Sequence, residues 1–454
     1  AVINNVLLTA GKEAEITVEM EEAILEGKEV VITATTDKQK PLNDLSTVST
    51  RTFSVEETQR FAAAVNDPAR MASSYAGVAM ASDGNNHIVI RGNAPNGLLW
   101  RMEGVEIPNP NHFSNVGTAG GGISILSAQV LTNSDFSTGA FASEYGNALS
   151  GVFDLKLRKG NTDRREYTIQ AGVLGLDVAT EGPLRVGNRI GSYLVNYRYS
   201  TLSLLARLGV PMQDGRTDFQ DLSFNVWMPA GKAGTFTLFG FGGLSKQTIP
   251  GAADSVLWRE DLLKKYPNVF LANTGAVGLT HSKVWGSNTW LKTVVASSGT
   301  QNGYEQDEYL TPDYRLQRTF DNDFVQRKIT ASSVLSHKFN TRHFLKTGTY
   351  VNFIGFDFRQ SVWDRTSERM EEQVRSDGHT QMVHAFAHWQ YRAAEQLTLN
   401  AGVHTATLLL NNATSVEPRV AVRYQPDKRN TLTLGYGLHS QAAPLATYRS
   451  KDSD

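Results

Sequence analysis

The stretch "QDLSFNVWM", Gln220–Met228, alternates strictly: Leu222, Phe224, Val226 and Met228 fall on one face, Asp221, Ser223 and Asn225 on the other. A period of two is the signature of a β-strand with two unlike environments. The same grammar recurs along the second part of the chain. In "GSYLVNYRYS" (191–200), Tyr193, Val195, Tyr197 and Tyr199 oppose Asn196 and Arg198. In "MVHAFAHWQY" (382–391), Val383, Ala385, Ala387, Trp389 and Tyr391 oppose His384 and His388. In "PRVAVRY" (418–424), Val420, Val422 and Tyr424 oppose Arg419 and Arg423. Arg and Asn recurring on the polar face argue against a dry core there. The pattern predicts the inverted arrangement, with apolar residues toward lipid and polar ones toward a wet lumen.

The connections sort into two sets. "RVGN" at Arg185, "AGKAG" at Ala230, "GSN" at Gly286, "NTR" at Asn340, "AEQ" at Ala394 and "DKRN" at Asp427 are short. The alternate set, at Val210, Ile249, Gly303 and Trp363, reads as long loops, with two short connections near Gly175 and Asn411. Short turns on one rim and longer loops on the other characterise an outer-membrane barrel. The ladder counts roughly thirteen strands of membrane-crossing length. Trp389 and Tyr391 lie near the short-turn end of their strand, where an interfacial aromatic girdle sits. Lipid offers a bare strand edge no partner, and single-chain barrels have even strand numbers, so further strands are expected after Asp454.

The 454 residues carry 44 Lys plus Arg against 45 Asp plus Glu, which argues against a nucleic-acid-binding surface. The absence of Cys excludes disulfides, thiolate metal sites and a thiol nucleophile. No apolar run approaches the roughly 18 to 20 residues of a membrane-spanning helix. The first residues, "AVINNVLLTAGKEAEITVEM", lack the basic start and apolar block of a signal peptide and read as the last strands of a preceding domain.

Residues 41–160 read as mixed α and β. Ser54 with Glu57 forms a capping box before a short helix, and Asp67-Pro68 caps a second one. "HIVIRG" (87–92), "GLLWRMEGV" (97–105), "ISILSAQVL" (123–131) and "GVFDLKLRKG" (151–160) read as strands, and Gly117 to Gly122 as a flexible loop. No Lys-Ser/Thr follows these glycines, so they form no phosphate cradle. Asn93 to Asn96 and Pro108 to Phe113 are loops fit to bind a solute, which makes Asn93, Asn96, Asn109, Asn111, His112 and Phe113 candidate solute contacts. His384 and His388 would lie about 13 Å apart along one strand, too far to share a metal, with His404 near on the next. Asn412-Ala413-Thr414 matches a glycosylation sequon only by its short pattern. No residue pattern points to a cofactor or a metal, and neither G-x-S-x-G nor H-E-x-x-H occurs, so no enzyme is expected.

One segment stands apart. Within "EGKEVVITATTDKQK" (26–40), the strand-prone run Glu29, Val30, Val31, Ile32, Thr33 and Ala34 sits between polar tethers with no turn leading to a partner strand. It is either an edge strand of a neighbouring domain or an extended segment kept free to pair with another protein.

Four stretches together resemble a TonB-dependent outer-membrane receptor of the Bacteroidetes type: "EVVITA", "IVIRGNAPNGLLWRMEGVEIP", "SAQVLTNSDFSTGAFASEYGNALSGVFDLKLRKGN" and "EPRVAVRYQPDKRNTLTLGYGLHSQ". The resemblance extends from Leu25 to the end, and residues 1–24 resemble the end of a carboxypeptidase-regulatory-like β-sandwich. It implies a 22-stranded transmembrane β-barrel, about thirteen strands of it present here, with an N-terminal α+β plug domain. The implied division is 1–24 sandwich end, 25–40 TonB box and linker, 41–160 plug, and 161–454 the N-terminal part of the barrel. It further implies a helix bearing "YGNALSG" at the end of the plug, and that Glu29 to Ala34 pair as an added strand with TonB, driven by its inner-membrane energising complex. The function implied is active import of a scarce solute across the bacterial outer membrane. The alternative is a structural or accessory barrel of a larger outer-membrane assembly.

Partners implied are therefore TonB, outer-membrane lipid, and an outer-membrane lipoprotein or larger assembly. Lys28 and Ile32 depart from the commonest box. Trp100, Arg101 and Met102 stand where receptors with a lipoprotein lid usually read "YVIDGVP", which argues against a lid of that class. Plug arginines of the family pair with barrel carboxylates, and Arg91 is the position expected to lock plug to barrel.

Overall fold

A computed structural model describes residues 41–54, 58, 67–81, 85–172, 175–209, 215–427 and 429–448. The expected sandwich end, the segment Glu29 to Ala34 and most of the first plug helix lie outside the described residues.

The plug is built on a five-stranded sheet of order β1-β8-β9-β4-β5. Its strands are β1 (Thr50–Phe53), β4 (Leu98–Met102), β5 (Val105–Glu106), β8 (Ser134–Ser137) and β9 (Gly151–Leu155). Two small hairpins pair β2 (Val78–Met80) with β3 (Ile88–Ile90), and β6 (Asn111–His112) with β7 (Ile123–Ser124). Asp67 caps helix α1 (Pro68–Ala72) through Ala69 N at 2.8 Å, as its sequence predicts. The core is aromatic: Trp100 stacks on Phe153 at 4.5 Å between centroids, and Phe136 on Phe153 at 4.4 Å.

Around the plug runs one antiparallel sheet of thirteen strands in sequence order. It begins with β10 (Glu166–Ala171), β11 (Leu176–Val186), β12 (Arg189–Tyr199), β13 (Arg216–Pro229), β14 (Thr235–Ile249), β15 (Asn268–Trp285) and β16 (Thr289–Leu310). It continues with β17 (Arg315–Lys338), β18 (His343–Asp364), β19 (Arg369–Ala394), β20 (Leu397–Leu408), β21 (Ala413–Tyr424) and β22 (Leu432–Gly437). The expected inversion holds. Asp221, Ser223 and Asn225 are buried against the plug side, whereas Leu222 between them is 42% exposed. His384, His388 and Arg419 are buried, and Val383, Trp389, Val420, Val422 and Tyr424 are outward and exposed. Trp285, Trp290 and Trp389 are exposed within a few residues of the short turns, forming the girdle at that rim.

Four local expectations change. The segments at Gly303 and Trp363, read as long loops, are instead the outer parts of β16–β17 and β18–β19, closed by turns at 311–314 and 365–368. These strands run to 22, 24, 22 and 26 residues, well beyond the ~9–11 that cross a bilayer. Above the lipid both faces are mainly polar, so strict alternation disappears while backbone pairing continues, supported by Arg318 with Glu305 at 2.9 Å and with Asp307.

"ISILSAQVL" is a strand only over Ile123–Ser124; the rest is turn, with Ile125, Leu126 and Val130 packed in the plug core. Around "YGNALSG" there is no helix. Asn147 has φ +55°, and Arg419 Nη1 takes the carbonyls of Ala142 and Tyr145, at 2.7 and 2.6 Å, that a helix would use internally. The glycines at 117–122 are closely packed: a Cβ on Gly120 would stand 2.2 Å from His87 Cδ2, and one on Gly121 2.5 Å from the His112 carbonyl.

Candidate functional site

The chemistry concentrates where plug meets barrel wall. Glu144 of the plug is the densest node. Its carboxylate lies 2.6 Å from Lys346 Nζ of β18 and 3.3 Å from Arg101 Nη1 of β4, and it accepts from Asn43 Nδ2 at 2.7 Å. Burial opposes ionisation of Glu144, but Lys346 and Arg101 outweigh it and hold the carboxyl at about 2. Arg101 in turn donates to Tyr350 Oη at 2.6 Å and the Gly104 carbonyl at 2.9 Å. Its position on β4 is fixed by parallel pairing with β9.

Two more plug carboxylates reach lysines of successive strands. Glu103 lies 3.4 Å from Lys292 of β16, and Glu106 2.9 Å from Lys328 of β17. Burial raises both carboxyls, and the facing lysines pull both below the usual carboxylate range. Arg158, just before the barrel, makes a fork to both oxygens of Glu181 on β11 at 2.6 and 2.8 Å.

Histidines read the plug backbone. Ser143 N donates to His388 Nδ1 at 3.2 Å, and the Ser143 carbonyl accepts from His404 Nδ1 at 2.9 Å. With His404 Nδ1 donating, its Nε2 is the acceptor for His384 Nδ1 at 3.2 Å, so the backbone sets the tautomers of the cluster. A Cβ on Gly146 would stand 2.0 Å from His404 Nε2, so Gly146 permits this approach. As the sequence suggests, His404 sits beside His384. Among the described residues no group of three His, Cys, Asp or Glu is placed to hold a metal.

The sequence candidates separate. Asn93 and Asn96 are exposed on the plug. Asn109 is spent on the carbonyls of Thr118 and Gly120 at 3.0 and 2.9 Å, and Asn111 bonds Asn86 and Asn109 at 2.6 Å each. His112 is fully buried, 3.0 Å from Asp221 Oδ2 of β13, and burial pushes its imidazole down despite that carboxylate. Phe113 packs edge-on to Phe219 at 6.3 Å. Asn109, Asn111 and His112 are therefore engaged within the plug and at its seat. Arg91 is exposed, has φ +50° and donates to Ser49 Oγ at 2.8 Å within the plug. Among the described residues no barrel carboxylate pairs with it, and the ion pairs between plug and wall run instead through Glu103, Glu106, Glu144 and Arg158. Most of these have the polarity opposite to the expected one, with the acid on the plug and the base on the wall. "MEGVEIP", two carboxylates flanking a tight turn, was the available signal for Glu103 and Glu106.

No family model and no curated protein matches the chain. Solved structures do. The ferric enterobactin receptor of Pseudomonas aeruginosa superposes with a TM-score of 0.60 at 15% identity, over 88% of this chain and 62% of that one. The fold is that of a plugged β-barrel. The siderophore receptor PirA of Acinetobacter baumannii gives 0.61 at 17% identity over 87% and 61% of the two chains. A copper transporter, OprC, gives 0.60 at 13% over 86% and 63%. The chain thus spans about three fifths of the length of these solved structures.

Proposed function

We propose that the chain is part of a TonB-dependent importer, of the Bacteroidetes type and preceded by a carboxypeptidase-regulatory-like sandwich, that draws a scarce solute across the outer membrane. The observation carrying this reading is the wiring of Glu144. The carboxylate that ties plug to wall through Lys346 also holds Asn43, nine residues after Ala34. Leu42 N and Asn43 N are further held by the Asp135 carboxylate of β8 at 2.9 and 2.8 Å. A pull applied to an added strand at Glu29 to Ala34 would be passed along the chain to this junction. It would act on charge-assisted bonds, which break without disturbing the apolar plug core. Outward-facing apolar side chains seat the barrel in outer-membrane lipid. Arg91 and the exposed Asn93 and Asn96 stay available for contacts with wall or solute, and Phe113 is half-buried beside Ser245 of the wall.

The test removes residues 29–34 from the full-length protein. Solute binding at the cell surface is expected to persist while energised uptake stops. Uptake at the undeleted rate would rule the reading out.

A further inference from the structure

A wet lumen should be lined with polar groups, yet one part of this wall is not. Phe324, Ile354, Phe356, Phe358, Met382 and Leu408 form an apolar cluster across β17 to β20. All six share the inward parity of the plug-binding residues on their own strands: Lys328 on β17, Lys346 and Tyr350 on β18, His388 on β19 and His404 on β20. They lie further toward the outer rim than those residues, so the shelf stands above the plug. Phe353, with the opposite parity, is 47% exposed on the lipid face. Facing inward, "FIGFDF" (353–358) presents Ile354, Phe356 and Phe358, three apolar side chains that lipid contact does not explain.

The shelf is covered by the chain itself. Beyond β22 the backbone turns inward, and Leu445 packs into the cluster with Ala442 and Ala446 at its edge. The same strap is pinned to the plug. Gln441 Nε2 donates to the Asn96 carbonyl at 2.8 Å, and Ala442 N donates to Asn147 Oδ1 at 3.0 Å. Pro444 fits against Gly117, where a Cβ would come within 2.9 Å. The surface above the plug therefore offers two amide acceptors below and an apolar wall beside them, and its occupant is a peptide segment, irregular over 441–444 and a 3-10 turn over Leu445–Tyr448, that uses both.

We propose that this surface is the solute site of the importer, that the solute it takes is an oligopeptide with apolar side chains, and that residues 441–446 are a tethered competitor for it. The proposal rests on the import reading and names its substrate class. A tethered segment competes at an effective concentration of order millimolar, so the closed strap lowers the apparent affinity for a free peptide by the fraction of time the site is open.

The experiment uses the full-length protein in lipid nanodiscs and a dansylated peptide of sequence QAAPLATY, matching 441–448. Leu445→Asp releases the strap from the shelf, and Gln441→Ala, which loses only a plug anchor, serves if the first variant does not fold. Saturable binding at least about tenfold tighter in either variant than in the parent is expected. Adding Phe356→Ser should cost about tenfold again, with heat-modifiable electrophoretic mobility unchanged. Equal binding in parent and strap variants overturns the proposal. So does equal binding of a dansylated Gly-Ser peptide, or full competition by a maltooligosaccharide. Neither TonB nor energy enters this assay. Its failure thus leaves the import reading standing, and loss of that reading leaves a peptide site to be measured.

Discussion

Replacing Glu144 by Gln removes one negative charge from between the buried Arg101 and the half-buried Lys346 and changes little else in volume. A carboxyl held at about 2 instead of the usual 4.5 corresponds to roughly 3 kcal/mol of favourable interaction, at 1.36 kcal/mol per pH unit. The general cost of breaking a buried pair on one side, about 3–5 kcal/mol, agrees. Both partners contribute here, since Lys346 lies 2.6 Å and Arg101 3.3 Å away. The loss falls on the seat of the plug, because Lys346 belongs to the wall. Plug release in urea, followed by pulse proteolysis of protein in bilayers, measures it. With a slope of about 1–3 kcal/mol per molar urea, the release midpoint should fall by roughly 1–3 M. Arg91→Ala should move it by less than about 0.5 M, because that side chain is exposed and among the described residues bonds only Ser49. Equal shifts in the two variants, or none in Glu144→Gln, would refute the assignment of the seat to Glu144. A Glu144/Lys346 double-mutant cycle should show coupling of about 1–3 kcal/mol.

Because the folded Glu144 carboxyl is depressed, its contribution is fully present above about pH 4.5 and is lost as pH falls toward 2; release midpoints measured across that window should decline in the parent and be flatter in Glu144→Gln. Gly146→Ala puts a methyl where His404 Nε2 stands, and should lower the release midpoint by an amount equivalent to about 1–3 kcal/mol while leaving barrel heat-modifiability intact. Val295→Arg, on the outward face of β16 and 54% exposed, should destabilise the membrane-inserted barrel by about 2–4 kcal/mol in refolding titrations.

What could be read from residue order was what one environment imposes repeatedly. Lipid on one side of every strand writes a period of two, so Gln220–Met228 and its counterparts declare both strand and facing. Where that constraint ends, the reading ends. Most of 303–318 and 363–378 pairs as strands above the membrane with mainly polar side chains and no strict alternation, and so looks like loop. The turns around Asn147 and the packed glycines depend on partners from other elements: Arg419 is 274 positions from Tyr145, and Lys346 is 202 from Glu144. No local pattern brings such residues together. Asn109, Asn111 and His112 stood out because turn-rich polar segments often bind ligands, yet their hydrogen bonds are consumed inside the plug and at Asp221. Arg91 has the chemistry of a lock but its guanidinium meets Ser49, while the acidic face of "MEGVEIP" meets the wall.

The central claim is that oily side chains face acyl chains and polar ones surround the plug, and the chain's lack of Cys allows a direct test. Single cysteines at Leu222, Ser223, Phe224 and Asn225, and at Val420 and Ala421, can be spin-labelled in bilayers and probed with oxygen, which partitions into lipid, and a water-soluble nickel chelate. Oxygen accessibility should peak at 222, 224 and 420 and drop at 223, 225 and 421. Labels at 222 and 420 that oxygen cannot reach, packed together in a dry interior while 223 and 225 meet bulk water, would contradict it.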